Sequence, residues 1–89
     1  MTCYMISYDL RSKYNGAYDN VEKAIRAIDR NAYRVLESQW IAKSSMSEKD
    51  VLTSLRKSGA FTSHDRIMVN PFFPSVGHNL LADLPAFRG

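Results

Sequence analysis

The sequence predicts a single α+β domain in which two helices cover one face of a four-stranded antiparallel sheet. Three observations predict this class: an aromatic and β-branched run near the N-terminus, a helical repeat of apolar residues after it, and a capped second helix before a final apolar run. The chain has 89 residues, of which 45% are hydrophobic and 24% charged, so we expect one globular core without an internal boundary.

The first strand is predicted over residues 2–10. Strand alternation assigns one set of side chains to the core, namely Tyr4, Ile6, Tyr8 and Leu10. The other set is expected to lie on a face that meets a partner subunit, and it consists of Cys3, Met5, Ser7 and Asp9. Because Asp is a poor strand residue, Asp9 marks the end of this strand.

A helix is predicted from residue 17 to residue 29, because apolar residues from Tyr18 to Ile28 recur at helical intervals. Two strand-like pieces follow over residues 33–36 and 39–43. No glycine marks a tight turn between them, so a hairpin and one long bent strand both remain open.

The second helix is marked by Ser47 as its N-cap and by Asp50 three residues later, and Gly59 provides a left-handed stop. A last strand over residues 66–70 is closed by Pro71. The order βαββαβ predicts a ferredoxin-like sandwich over residues 1–70. Residues 71–89 form an apolar tail, which we expect to dock on the same domain or across a dimer.

The net charge, the pI and the cysteine count narrow the range of partners. A net charge of +3 and a pI near 9.2 favour an anionic partner such as RNA or DNA. Cys3 is the only cysteine, so one chain can form neither a disulfide nor a cysteine zinc site. We find no membrane-span pattern and no export signal, and we therefore expect a cytoplasmic protein.

Two segments, Ile6-Ser7-Tyr8-Asp9-Leu10 and the stretch from Leu36 to Ser44, resemble SinR-like proteins. These are small relatives of the CRISPR-associated adaptation protein and, more distantly, of the VapD toxins. The resemblance implies a ferredoxin-like fold and a homodimer formed through the open sheet faces. Some members are metal-dependent nucleases in which the Asp that ends the first strand is implicated, and that position is Asp9 here.

Asp9 has two interpretations. Mg²⁺ or Mn²⁺ needs only one or two protein carboxylates, which two Asp9 side chains facing each other across a dimer would supply. Alternatively, Asp9 caps the loop that follows it. We predict nucleic-acid contacts at four basic residues, Arg11, Lys13, Arg34 and Lys43. We predict interface positions at Cys3, Met5, Ser7, Trp40 and Met68, although a core position for Trp40 remains open.

Together these observations lead to one functional hypothesis and one alternative. The hypothesis is a homodimeric, nucleic-acid-associated protein with weak metal-dependent endonuclease activity centred on Asp9. The alternative is a non-enzymatic protein-interaction or inhibitory module that uses the open sheet face and the C-terminal tail.

Overall fold

A computed structural model of the chain describes residues 1–11 and 16–71. Its elements are β1 (Thr2–Asp9), α1 (Ala17–Ile28), β2 (Tyr33–Leu36), β3 (Gln39–Ser44), α2 (Glu48–Lys57) and β4 (Arg66–Pro71). The predicted order βαββαβ is therefore confirmed, and β2 and β3 form a hairpin and not one bent strand. The predicted tail begins inside β4, at Pro71, and its remainder, 72–89, lies outside the described residues.

The four strands form one sheet in the order β2-β3-β1-β4, and each neighbouring pair is antiparallel. It follows that β1 and β2 run parallel with β3 between them, while β3 and β4 run parallel with β1 between them. This interleaving of two βαβ units defines the ferredoxin-like α+β sandwich. The two central strands are β1 and β3, so the C-terminal end of β1 has a strand on each side of it.

The core lies between the helices and one face of the sheet. The predicted alternation of β1 is confirmed, because its four core residues are between 0% and 7% exposed. The apolar stripes of α1 and α2 pack against them, and the fully buried members of these stripes are Val21, Ile25, Val51 and Leu55. Tyr18 is an exception to the predicted stripe, since it is 51% exposed near the start of α1.

Side-chain hydrogen bonds fix the start of α2 and the end of α1, and a left-handed glycine precedes α1. The Ser47 hydroxyl accepts from the backbone N–H of Asp50 at 3.2 Å, which confirms the predicted N-cap. Gly16 begins α1 with a φ of 86°, a left-handed conformation that favours glycine. After α1, the Asp29 carboxylate accepts from the backbone N–H of Asn31 and from that of Lys43, each at 2.9 Å, and so joins the helix to β3.

The face of the sheet turned away from α1 and α2 has two unlike halves. On the β2–β3 side, Val35 and Ile41 are 2% and 0% exposed, although neither belongs to the core under the helices. On the β4 side, Met68 is 55% exposed and its neighbour across the β1–β4 pair is Ser7. Among the strand residues of this face, Met68 is the most exposed apolar side chain, ahead of Leu36 at 43% and Tyr33 at 39%.

Trp40 requires a correction. It pairs with Ile6 in the register of β1 and β3, and its side chain lies on the helix-covered face at 4% exposure. Trp40 therefore belongs to the core and contributes nothing to the open face. Within the described residues, the helices of 12 and 10 residues are too short to cross a membrane.

Candidate nucleic-acid interface

Asp9, the last residue of β1, lies between two arginines. Its Oδ2 accepts a hydrogen bond from Arg11 Nε at 3.0 Å, and its neighbour across the β1–β4 pair is Arg66. The Asp9 and Arg11 side chains are 57% and 54% exposed, so their ion pair adds at most about 1 kcal/mol to folding. These groups are therefore available to a charged ligand at little cost to the fold.

The backbone beside this pair is held by another acid, Asp65. Its Oδ1 accepts from the backbone N–H of Arg11 at 2.7 Å, and its Oδ2 accepts from that of Thr62 at 2.8 Å. Asp65 thereby ties the chain leaving β1 to the segment between α2 and β4. The backbone N–H of Arg11 is thus bound by a residue 54 positions away, while Asp9 pairs with the Arg11 side chain. Residues 12–15 of the loop that Asp9 is predicted to cap lie outside the described residues.

A cavity of about 320 Å³ opens next to Asp9, where the end of β1, the start of α1 and the β2–β3 turn meet. This volume is near the lower limit of the range typical of ligand pockets in proteins. Polar and aromatic side chains dominate its lining, which consists of Tyr8, Asp9, Leu10, Tyr18, Arg34, Glu37 and Ser38.

Tyr8 forms the deepest polar part of this lining. It is 7% exposed, and its hydroxyl accepts a hydrogen bond from Trp40 Nε1 at 3.1 Å. The Tyr8 ring also meets Phe61 edge-on, with 6.0 Å between ring centroids. Burial raises the pKa of Tyr8 above its ordinary value of 10.0, despite the opposing effects of the Trp40 bond and the Arg34 charge. The hydroxyl is therefore protonated at neutral pH.

Arg26 supports this aromatic cluster from α1. Its guanidinium lies 5.2 Å from the centroid of the Trp40 ring, within cation–π distance. Arg26 also donates to the Glu22 carboxylate at 3.1 Å and to the backbone carbonyls of Arg30 and Ala32 at 2.9 and 3.2 Å. These contacts hold Arg26 against α1 and the Trp40 ring, and its side chain is 41% exposed.

The structure brings some of the predicted basic residues together and separates others. Arg11 pairs with Asp9, and Arg34 lines the cavity. Lys43 pairs with Cys3 near the opposite end of β1, which puts it about 20 Å from Asp9 at the usual rise per strand residue. Lys13 lies outside the described residues.

Four residues near Asp9 were missed by the prediction from sequence: Tyr8, Tyr18, Glu37 and Arg66. Strand alternation assigned Tyr8 to the core correctly but gave no sign that this residue also lines a cavity. Glu37 and Arg66 lie far from Asp9 along the chain, and only the strand order and register bring them near it.

The carboxylates of Asp9 and Glu37 line the same cavity. Residues 1–11 and 16–71 contain no group of three or more His, Cys, Asp or Glu side chains placed to hold a metal ion. Any ion bound here would therefore retain most of its water ligands, as Mg²⁺ commonly does.

Comparison with protein-family models, curated proteins and solved structures found no match to this chain. The resemblance to SinR-like proteins therefore stays a prediction.

Proposed function

We propose that this protein binds single-stranded nucleic acid beside the C-terminal end of β1, a central strand of the sheet. The observation that carries the proposal is the position of three arginines around Asp9: Arg11 pairs with it, Arg66 is its cross-strand neighbour, and Arg34 lines the adjoining cavity. Guanidinium groups suit phosphate oxygens because their planar donors match two oxygens at once.

The charge of the whole chain favours a polyanion. Three arginines lie near three acids at this site, Asp9, Glu37 and Asp65, so the positive bias comes from the net charge of +3 of the whole chain. Each phosphate contact made to a single strand adds about −0.7 to the slope of log affinity against log salt. Three contacts therefore give a slope of about −2.

Salt-dependent binding of a short single-stranded oligonucleotide tests this proposal. Arg11→Ala and Arg66→Ala are each expected to weaken binding and to bring the slope about 0.7 closer to zero. Lys57→Ala, at the end of α2, is the matched control and should leave the slope unchanged. Binding whose slope is the same in all three variants would contradict the proposal.

Within this proposal, Asp9 is the ligand of a Mg²⁺ or Mn²⁺ ion that supports weak endonuclease activity. Its carboxylate is exposed next to the phosphate-binding arginines, so an ion held there would meet the nucleic-acid backbone. Such an ion activates water and offsets the charge that develops on the phosphoryl group.

Asp9→Asn distinguishes this role from simple electrostatics. If Asp9 holds the ion, the variant loses Mn²⁺-dependent cleavage, while its affinity in EDTA is equal or higher because one negative charge has gone. Cleavage that persists in Asp9→Asn would remove Asp9 from the mechanism. Glu48→Gln, in the first turn of α2, controls for the loss of a carboxylate elsewhere.

We also propose that two copies of the chain associate through the β4 half of the open face. Met68, Met5 and Cys3 lie on this face, with Lys43 across from Cys3 and Arg66 two residues from Met68. An isologous dimer needs a patch that complements itself. Met68→Lys is expected to shift sedimentation towards the monomer. Leu36→Lys, at the opposite edge and 43% exposed, should not, and an unchanged distribution in Met68→Lys would refute this interface.

The second candidate function is a non-enzymatic protein-interaction or inhibitory module. The exposure of Met68 favours it, because an apolar patch of this kind serves a foreign partner as well as a second copy. The contribution expected from the C-terminal tail falls on residues outside the described part of the chain. Under this candidate, the Arg11 and Arg66 variants keep full activity and Met68→Lys loses it. Since the chain has a single cysteine, either function suits the cytoplasm.

A further inference from the structure

Tyr8, which lines the cavity beside Asp9, carries a buried hydrogen-bond donor. The Tyr8 hydroxyl accepts from Trp40 Nε1 at 3.1 Å, and an indole N–H can only donate, so the hydroxyl hydrogen points elsewhere. Tyr8 is only 7% exposed, yet none of the described residues accepts this hydrogen. A buried donor beside a cavity selects for a ligand with an acceptor atom.

The mouth of the same cavity carries complementary groups. Glu37, in the β2–β3 turn, is exposed and offers two acceptor oxygens, while Asp9 is paired with Arg11. Tyr18 is 51% exposed and lines the cavity from the first turn of α1. Arg34 completes the mouth with a positive charge. The cavity thus combines a donor, a carboxylate, an aromatic ring and a cation.

We propose that this cavity binds one unpaired guanine base of a single strand. The Watson–Crick edge of guanine presents two adjacent donors, N1–H and the N2 amino group, beside the acceptor O6. The Glu37 carboxylate accepts from both donors, and the Tyr8 hydroxyl donates to O6. The Tyr18 ring stacks on the base, and Arg34 contacts the neighbouring phosphate.

The same groups discriminate against the other bases. Adenine and cytosine each offer one amino group beside a ring nitrogen that is an acceptor. This ring nitrogen would face the Glu37 carboxylate, which is also an acceptor. Uracil offers one donor between two acceptors. Each of these bases therefore leaves a polar group of the site unpaired or facing a group of the same kind. One good bidentate pair commonly favours the correct base over a wrong one by about tenfold or more. At 320 Å³ the cavity suits one base and not an extended ligand.

Binding of four seven-nucleotide RNAs in EDTA tests the inference, which rests on the proposed function. Each RNA is oligouridine with U, A, C or G at the centre. We expect the wild-type protein to bind the G-containing RNA about tenfold more tightly than the others. Tyr8→Phe and Glu37→Gln should each remove this preference. The affinity for the other three RNAs should stay unchanged in Tyr8→Phe and be equal or higher in Glu37→Gln, which lacks one negative charge.

Tyr18→Ala should weaken the binding of all four RNAs by about tenfold, and Tyr18→Phe should restore it, because stacking needs the ring alone. Tyr4→Phe is the matched control for the loss of a buried hydroxyl, since the Tyr4 hydroxyl bonds to the Met46 carbonyl away from the cavity. This control should keep the preference for guanine. Far-UV and near-UV circular dichroism of each variant verify that the fold is retained.

The outcomes separate this inference from the proposed function. Equal affinity for the four RNAs, or a preference that survives in both Tyr8→Phe and Glu37→Gln, overturns the guanine pocket. If binding without preference still depends on Arg11 and Arg66, the proposed function stands and only the pocket is wrong. If the wild-type protein binds none of the RNAs, both are wrong.

Discussion

Asp29 offers the sharpest test of how the fold is held together. Its two carboxylate oxygens accept from the backbone N–H groups of Asn31 and Lys43, both at 2.9 Å. The first bond stabilises the turn after α1, and the second anchors that turn to the central strand β3. Asp29→Ala removes both bonds, whereas Asp29→Asn keeps one acceptor oxygen and nearly the same shape.

The expected cost follows from these two bonds. A hydrogen bond to a charged group contributes about 1.5 to 3 kcal/mol, and less where it is exposed, as the bond to Asn31 is. We expect Asp29→Ala to lower the free energy of unfolding by about 2 to 3 kcal/mol and Asp29→Asn by about half as much. The loss of the charge from the helix C-terminus offsets less than about 1 kcal/mol of either cost. A domain of this size is stable by about 4 to 13 kcal/mol, so the effect is large.

Urea denaturation followed by tryptophan fluorescence measures these changes. Trp40 is the only tryptophan and is 4% exposed, so its emission reports on the core. The midpoint should fall in the order wild type, Asp29→Asn, Asp29→Ala, with an unchanged denaturant slope. The melting temperature of Asp29→Ala should drop by roughly 10 to 20 °C.

Lys23→Ala, on the exposed side of α1, is the control and should change stability by less than about 0.5 kcal/mol. Equal stability of the wild type and Asp29→Ala would refute the role assigned to this carboxylate. Equal loss in Asp29→Asn and Asp29→Ala would show that the charge matters and that the number of acceptor oxygens does not.

Three further changes test other parts of the structure. Ser47→Ala removes the N-cap of α2 and should cost about 1 kcal/mol in urea denaturation, whereas Ser47→Asp should restore most of it. Gly16→Ala forces a residue with a Cβ into a φ of 86° and should cost about 1 kcal/mol, and Gly16→Asn should cost less. Since none of the described residues lies within 4 Å of a Cβ built at this position, a larger loss would indicate a cause other than the backbone. Burial raises the pKa of Tyr8, so the unfolded chain releases this proton at a lower pH than the folded protein does. The free energy of unfolding should therefore fall as pH rises through 10.0 towards the folded-state pKa. Tyr8→Phe should lose less stability over this range, and equal losses in the wild type and Tyr8→Phe would contradict the burial of the hydroxyl.

The secondary structure was largely predictable because its causes are local. The alternation in β1, the apolar stripe of α1 and the cap of α2 each depend on residues close together in the chain. The prediction was wrong at Tyr18, which continues the spacing of the stripe but lies at the start of α1 and is half exposed. It also left two positions open for Trp40, and the register of β3 places this residue under the helices.

The candidate site was less predictable because contacts between distant segments create it. Asp9 and Arg11 were identified from their position at the end of a strand, and the structure pairs them. Glu37 was missed, because only the β2–β3 hairpin brings it to the cavity beside Asp9. Arg66 carries no signal in the sequence, since its proximity to Asp9 follows from the pairing of β4 with β1.

By itself, therefore, the sequence determined the types of the elements and their order, the buried face of β1 and, apart from Tyr18, that of α1, and Asp9 as the residue of interest. Only the tertiary structure decided what surrounds Asp9. The Asp65 bond to Arg11 spans 54 positions and the Tyr8–Trp40 bond spans 32, and no local pattern encodes such pairs. They depend on strand order and register, which are set by the packing of the whole core.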